Sequence, residues 1–450
     1  MRHQQRRFTQ QLLAGCAMLG LAAVATLPAT AATAADQALS QAVRADYQAN
    51  LSALFDDFHR HPELSGQETR TAARMAAELK ALGYKVTEGV GGTGVVAVLE
   101  NGPGTTVMIR ADMDGLPIQE RSGASNPSTY KQVDRDGVEQ YVMHACGHDT
   151  HITALIGTAR QMAARKANWS GTLVLIAQPA EERVEGARAM IADGLFTRFP
   201  KPEYAIGFHV ASGLPAGTVW VPPSVAYSSA DSVDIKVRGI GGHGASPQST
   251  VDPVTVASYI VTNLQTLRSR EVDPLQGAVV TVGSIHGGTK HNIIPEEVNL
   301  QLTVRSDSYE VRDILLDGID RIARNTALAL NVPEDKLPVV VRSPTESTPP
   351  AVNHSETALR MRSAIAGQLG DERVLDITRQ GMGAEDFAFY AAPEHGIKAV
   401  IFAVGGLPED LKDTPPPHHS PLFRIDPESS IIAGVEATVA AAEDLFSSGH

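Results

Sequence analysis

Short, almost wholly apolar runs recurring between helical stretches constrain this chain more than any other feature. Leu173-Val174-Leu175-Ile176-Ala177 is apolar at every position, as is Val95 to Leu99, and Tyr204-Ala205-Ile206-Gly207-Phe208 is nearly so. A strand with one wet face alternates, so continuous apolar strands indicate a sheet covered on both faces. Thr106 to Ile109 and Ala399 to Val404 read as further strands of this kind. Residues 43–58, 69–82 and 355–369 carry the helical spacing that would supply the covering layers. The expected class is α/β, with chemistry just beyond the carboxyl ends of the strands.

From about 230 to 340 the pattern changes. Val233-Asp234-Ile235-Lys236-Val237 and Val298 to Val304 alternate strictly, as half-exposed strands do. Helical stretches lie at about 253–267 and 308–330. A sheet with one wet face and helices on the other suits a smaller α+β insert. The expected division is a leader over 1–35, a larger domain over 36–229 and 345–450, and the insert over 230–344.

The leader has its own logic. Arg2, Arg6 and Arg7 precede an apolar run from Leu12 to Leu27, followed by Ala-Thr-Ala stretches up to Ala35. This is the layout of a secretory signal, so the protein is expected to be exported, periplasmic or secreted. Leu13-Ala14-Gly15-Cys16 resembles a lipid-attachment box, but the apolar run follows the cysteine instead of preceding it. Without the leader, 35 basic side chains face 51 acidic ones, a net charge of −16 with no long basic run, which argues against a nucleic-acid binder. No later apolar run is long enough to span a bilayer, so no membrane attachment is expected of the mature chain. Cys146 then stands alone, unable to form an internal disulfide. It must be a buried thiol or a metal ligand.

Four segments could hold metal: His144-Ala145-Cys146-Gly147-His148-Asp149-Thr150-His151; Gln178-Pro179-Ala180-Glu181-Glu182; His209; and His418-His419-Ser420-Pro421. Alone, each has a plain structural explanation. Together, the mature chain's one cysteine lies among three histidines beside an acid, and a Cys-X-His pair can serve neighbouring metal positions. Glu181 and Glu182 follow a strand and point apart, so one can bind metal while the other handles a proton. Asp112 and Asp114, after the strand at 106–109, can orient a ligating histidine.

These segments occur in one order with Arg110 to Pro117, Gly241-Gly242-His243-Gly244-Ala245, His291-Asn292-Ile293-Ile294-Pro295 and Gly383-Ala384-Glu385-Asp386-Phe387. Together they resemble the M20 metallopeptidase family, on its aminoacylase-like amidohydrolase branch, which includes hippurate hydrolases and indole-acetyl-amino-acid hydrolases. The resemblance implies a three-layer αβα metallo-exopeptidase-like catalytic domain with an inserted lid and dimerisation domain. It implies two divalent metal ions (zinc, manganese or cobalt) on residues matching Cys146, His148, Glu182, His209 and His419, and a catalytic base at Glu181. His419 is the better match of the tandem pair because it directly precedes Ser-Pro. From the lid, His243 and Asn292 are implied to hold the substrate or polarise its carbonyl, His243 acting across a homodimer. Arg305, ending a lid strand, can pair with a substrate carboxylate. The chain departs from the branch at Arg183-Val184-Glu185, where a glycine run is usual.

The implied reaction is hydrolysis of the amide bond of an N-acyl amino acid, giving a carboxylic acid and a free amino acid. An exported dipeptidase or carboxypeptidase using the same two-metal site on short peptides is the alternative. A secreted binding module with a structural metal fits less well, because a closed site has no use for a spare carboxylate.

Overall fold

The computed structural model describes residues 34–379 and 381–447. The expected leader lies outside the described residues except for its last two positions, which open the first helix. In chain order the main sheet takes β1 (Lys85–Val90), β2 (Gly94–Asn101), β3 (Thr106–Asp112), β4 (Gly171–Gln178), β5 (Tyr204–Pro215) and β6 (Val219–Trp220). The insert supplies β7 (Ala230–Arg238), β8 (Ala278–Gly287), β9 (Glu297–Ser306) and β10 (Val339–Thr348), and β11 (Lys398–Leu407) returns to the main sheet.

The main sheet runs β1-β2-β4-β3-β5-β11-β6. Its centre, β4 through β11, is parallel, while β1, β2 and β6 pair antiparallel at the two sides. The apolar runs mark the inner strands; β1 is mostly exposed and β6 has two residues, so neither carries such a run. Alternate residues serve two cores. Val95, Ala97, Leu99, Val107, Ile109, Leu173 and Leu175 face one layer, and Val96, Met108, Val174 and Ile176 face the other. Both faces are dry, which is why the strands do not alternate in polarity.

The first layer contains α1 (Ala34–Asp46), α2 (Ser52–Arg60), α3 (Thr69–Ala81) and α4 (His148–Ala164). The insert adds α5 (Pro253–Thr266) and α6 (Tyr309–Ala329), and the first layer is completed by α7 (Ser355–Leu369) and α8 (Pro427–Ser447). α8 is buried around most of its circumference, so it has no polar stripe from which a helical period could be read.

The insert is a four-stranded antiparallel sheet ordered β8-β9-β7-β10. Val233, Ile235, Val237, Leu300 and Leu302 pack with Val256 and Ile260 of α5 and Leu315 and Ile319 of α6. Both helices start where their caps dictate. Asp252 Oδ1 accepts the Val254 N–H at 2.9 Å before Pro253, and Ser308 Oγ accepts the Val311 N–H at 3.1 Å. The boundary expected at 344 falls inside β10, which stays paired with β7 as far as Thr348 opposite Ala230. A register irregularity carries the pairing through the polar, proline-containing stretch Ser343 to Ser347, which on composition reads as a loop.

Candidate metal centre

Cys146 and His148 flank Gly147, whose φ of +86° makes the turn from which α4 starts. A Cβ at Gly147 would sit 2.3 Å from Val210 Cγ1, so the position is closed to any side chain. His148 donates from Nδ1 to the Asp114 carbonyl oxygen at 2.8 Å, leaving its buried Nε2 with no hydrogen-bond partner. His209 donates from Nδ1 to the Val210 carbonyl at 2.7 Å, and its Nε2 lies 3.4 Å from Cys146 Sγ. Glu182 keeps Oε1 buried and unpartnered, with Oε2 3.3 Å from His419 Nε2.

The donor atoms of Cys146, His148 and His209 all lie within 4.8 Å of one another, and so do those of Cys146, Glu182 and His419. Two donor sets therefore share one sulfur, the arrangement that suits a pair of bridged cations. The orphaned Nε2 and Oε1 are what such cations would satisfy. Burial, then Glu182 and Glu181, push the Cys146 thiol well above its usual pKa, so a cation is what this sulfur needs in order to ionise.

The histidines around Cys146 differ in what their rings and main chain bond to. His418 accepts the Ser212 N–H on Nε2 at 3.3 Å and turns Nδ1 to Cys146 Sγ at 3.6 Å, so both its nitrogens are engaged. His419, at φ +61°, donates its N–H to Ala145 O at 2.9 Å and presents its ring to Glu182. Such a backbone costs about 1 kcal/mol or more and persists where a site needs it. His151 is likewise committed, accepting the Val210 N–H on Nε2 at 2.8 Å and facing Asp112 Oδ1 at 2.5 Å. His144 belongs to neither donor set.

Glu181 is buried beside both sets, its Oε2 3.9 Å from His148 Nε2. Burial, then Glu385 and Glu182, push its carboxyl well above the usual range. Behind it lies an ion network without water access. Arg110 donates to Asp112 Oδ2 at 2.7 Å, Glu385 Oε1 at 2.7 Å, Asp386 Oδ1 at 2.9 Å and Gln178 Oε1 at 2.9 Å. Burial opposes its charge, but Asp112, Glu385 and Asp386 outweigh that and raise its pKa further. This gives Gly383 to Phe387 a clear use: its two acids anchor the arginine beneath the centre.

Asp112 and Asp114 were expected to orient a ligating histidine, and both carboxylates lie against His148, Asp112 Oδ2 3.5 Å from its Nε2 and Asp114 Oδ1 3.4 Å from its Nδ1. Asp112 takes His151 and Arg110, while the main-chain oxygen of Asp114 sets His148. The Asp114 carboxylate also holds the glutamates, accepting the Glu181 N–H at 3.1 Å and the Glu182 N–H at 3.0 Å. Glu68 completes this clamp by accepting the N–H of Ala180 at 2.9 Å, where φ is +49°. Three successive N–H groups are thus held by two buried carboxylates, and the paired glutamates, expected to point apart, both reach His148 Nε2, Glu181 through Oε2 and Glu182 through Oε1, each at 3.9 Å. Glu68 went unnoticed in the sequence because it is a lone acid in the polar run Ser65 to Thr69.

The lid residues stand apart from the donor cluster. His243 and Asn292 are exposed and adjacent, joined by the Gly244 N–H to the Asn292 carbonyl at 2.9 Å. Arg305 is half-buried and donates to Met382 O at 3.4 Å, tying the lid to the larger domain. Of the departing residues, Glu185 accepts from Arg135 at 2.9 Å and from Arg183 at 3.3 Å.

Comparison with known proteins agrees with this geometry. The chain is 36% identical to the hippurate hydrolase of Campylobacter jejuni over 350 residues, 77% of this chain and 86% of that protein. It is 34% identical to thermostable carboxypeptidase 2 of Saccharolobus solfataricus over 378 residues, 82% of this chain and 88% of the relative. The crystal structure of the Bacillus subtilis YXEP protein, described as a dinuclear metal binding peptidase from the M20 family, superposes with a TM-score of 0.73 at 27% identity, covering 90% of this chain and 99% of that one. Residues 108–444 match the Peptidase family M20/M25/M40, and the chain belongs to that family.

Proposed function

We propose that this protein is a metal-dependent amidohydrolase that cleaves N-acyl amino acids to a carboxylic acid and a free amino acid. The observation that carries the reading is the pair of donor sets sharing Cys146, with the buried carboxyl of Glu181 beside them, 3.9 Å from His148 Nε2. Cys146, His148, Glu182, His209 and His419 would hold two divalent cations. A thiolate, imidazole and carboxylate donor set is one that zinc, manganese and cobalt accept. Such cations, when bound, supply Lewis acidity and bring the pKa of water towards about 7.

The chain's own residues do the rest. Glu181 takes a proton from the water that attacks the amide carbon. It then delivers that proton to the departing amino nitrogen. Arg110, Glu385 and Asp386 hold the floor beneath it. From the lid, His243 and Asn292 polarise or hold the substrate carbonyl, and Arg305 meets the substrate carboxylate. His243 carries out this task across a homodimer formed by the lids. The basic, apolar and small-residue order of positions 1–35 supports work outside the cytoplasm.

Glu181→Gln keeps full metal content by elemental analysis and loses about 10² to 10⁴ in turnover. Cys146→Ala lowers the metal content itself. Near-wild-type turnover in Glu181→Gln removes the base role. The likeness to a carboxypeptidase favours short peptides as a second substrate class. A panel of N-acyl amino acids against plain dipeptides separates the two.

A further inference from the structure

Two histidines meet the sulfur of Cys146, and the bond each ring makes on its far side fixes what it shows the sulfur. His209 donates from Nδ1 to the Val210 carbonyl at 2.7 Å, so the Nε2 that lies 3.4 Å from Sγ carries a bare lone pair. His418 has the opposite arrangement. Its Nε2 accepts the Ser212 N–H at 3.3 Å, and a main-chain N–H can only donate. A ring that accepts on Nε2 is neutral and carries its proton on Nδ1, the atom that lies 3.6 Å from Sγ. One histidine therefore offers the sulfur a lone pair and the other offers it a proton.

The surrounding chain holds His418 in this state. Ser212, buried on β5, also donates from Oγ to the Pro416 carbonyl at 2.8 Å, two residues before His418. It thus grips both the loop and the ring that the loop carries. Phe423 and His209 flank that ring, with centroids at 4.9 Å and 5.4 Å. A thiolate has three lone pairs, and two bridged cations take two of them. Resting on the two-cation reading of this centre, we propose that His418 is a positioning residue that donates its Nδ1–H to the remaining lone pair of the Cys146 thiolate. Hydrogen bonds to an ionised acceptor are about twice as strong as neutral ones. The sulfur is buried, so the ring supplies what water gives an exposed thiolate. Because Cys146 belongs to both donor sets, the bond acts on both cation positions at once.

The test sets His418→Leu, which removes the proton, against His418→Asn, whose side-chain N–H can take the place of Nδ1–H. Both are loaded with cobalt(II), which this donor set accepts. In His418→Leu the near-ultraviolet sulfur-to-cobalt band is expected to move to longer wavelength, because a thiolate without its donor holds its electrons less tightly. Competition with a chelator is expected to show about 10- to 100-fold weaker cobalt binding, at both positions alike. His418→Asn is expected to restore the band and the affinity. An unmoved band in His418→Leu overturns the assignment, as does weakening confined to one position. So does a loss in His418→Asn equal to that in His418→Leu, which would leave only ring packing. Where His418→Leu does not fold, the nitrogen-15 spectrum of the zinc-loaded wild type gives the answer. A proton on His418 Nδ1 upholds the bond, and a proton on Nε2 overturns it. A wild type with no sulfur-to-cobalt band overturns the two-cation reading of Cys146 as well.

Discussion

The two sheets of this protein bury charge to different extents: the lid sheet buries Asp231 at one end, paired with Arg312 at 2.7 Å, and the main sheet buries a whole network. The lid sheet buries Val233, Ile235, Val237, Leu300 and Leu302 against two helices, in a core made of aliphatic side chains. The main sheet carries Arg110, Asp112 and Gln178 on the carboxyl ends of its inner strands, buried and joined to Glu385 and Asp386. A purely apolar core can loosen and still be a core. A buried ion network has no such latitude, because each member removed strands a charge without solvent. The reactive end of the molecule is therefore its electrostatically brittle end, while a truncation in the lid core leaves a cavity without stranding a charge.

Arg110→Met is the strongest challenge to this contrast. It leaves three buried carboxylates facing one another and is expected to cost about 3–5 kcal/mol in urea unfolding, together with the bound metal. Ile235→Ala in the lid is expected to cost a comparable 2–5 kcal/mol through its cavity, yet to leave metal stoichiometry intact at 25 °C. Metal loss in both variants would show the two regions to be one energetic unit.

A smaller effect sharpens the picture of the clamp behind the glutamates. Glu68→Ala frees the Ala180 and Gly66 N–H groups and the Thr93 hydroxyl while touching no metal-donor atom. About 10- to 100-fold weaker metal affinity is expected, read by competition with a chelator, with near-normal stability of the loaded protein. Unchanged affinity would leave Asp114 as the sole holder of that turn.

The mildest expectation concerns pH. His59 is buried between Asp149 Oδ2 at 2.7 Å and Glu120 Oε1 at 3.5 Å. Burial opposes its charge, but Asp149 and Glu120 outweigh burial and raise its pKa to about 10. An unfolded histidine titrates near 6.5, so the stabilisation is complete below about pH 6.5 and is lost as the pH rises through about 10. The urea midpoint of the wild type should fall between pH 7 and 10, and His59→Gln should start lower and fall less steeply. Equal slopes would remove His59 from the stability of this end.

Local pattern by itself determined much of this protein. Residues 355–369 form a helix with the ends that spacing indicated, and the apolar runs at 95–99, 173–177 and 204–208 lie within inner strands. Short-range periodicity reports burial directly, which is why these elements were legible. Residue type and order marked the four segments that hold Cys146, His148, Glu182, His209 and His419, while the choice of those five within the segments came from the resemblance to the M20 family. What only the tertiary structure decided were matters of direction and partnership. Glu68 and Ala180 are far apart in sequence yet bonded; His418 and His419 are neighbours with opposite duties; β1 and β6 became strands because inner strands offered them edges. A hydrogen bond is set by where two groups meet in space, and adjacent residues on one chain can face entirely different neighbours.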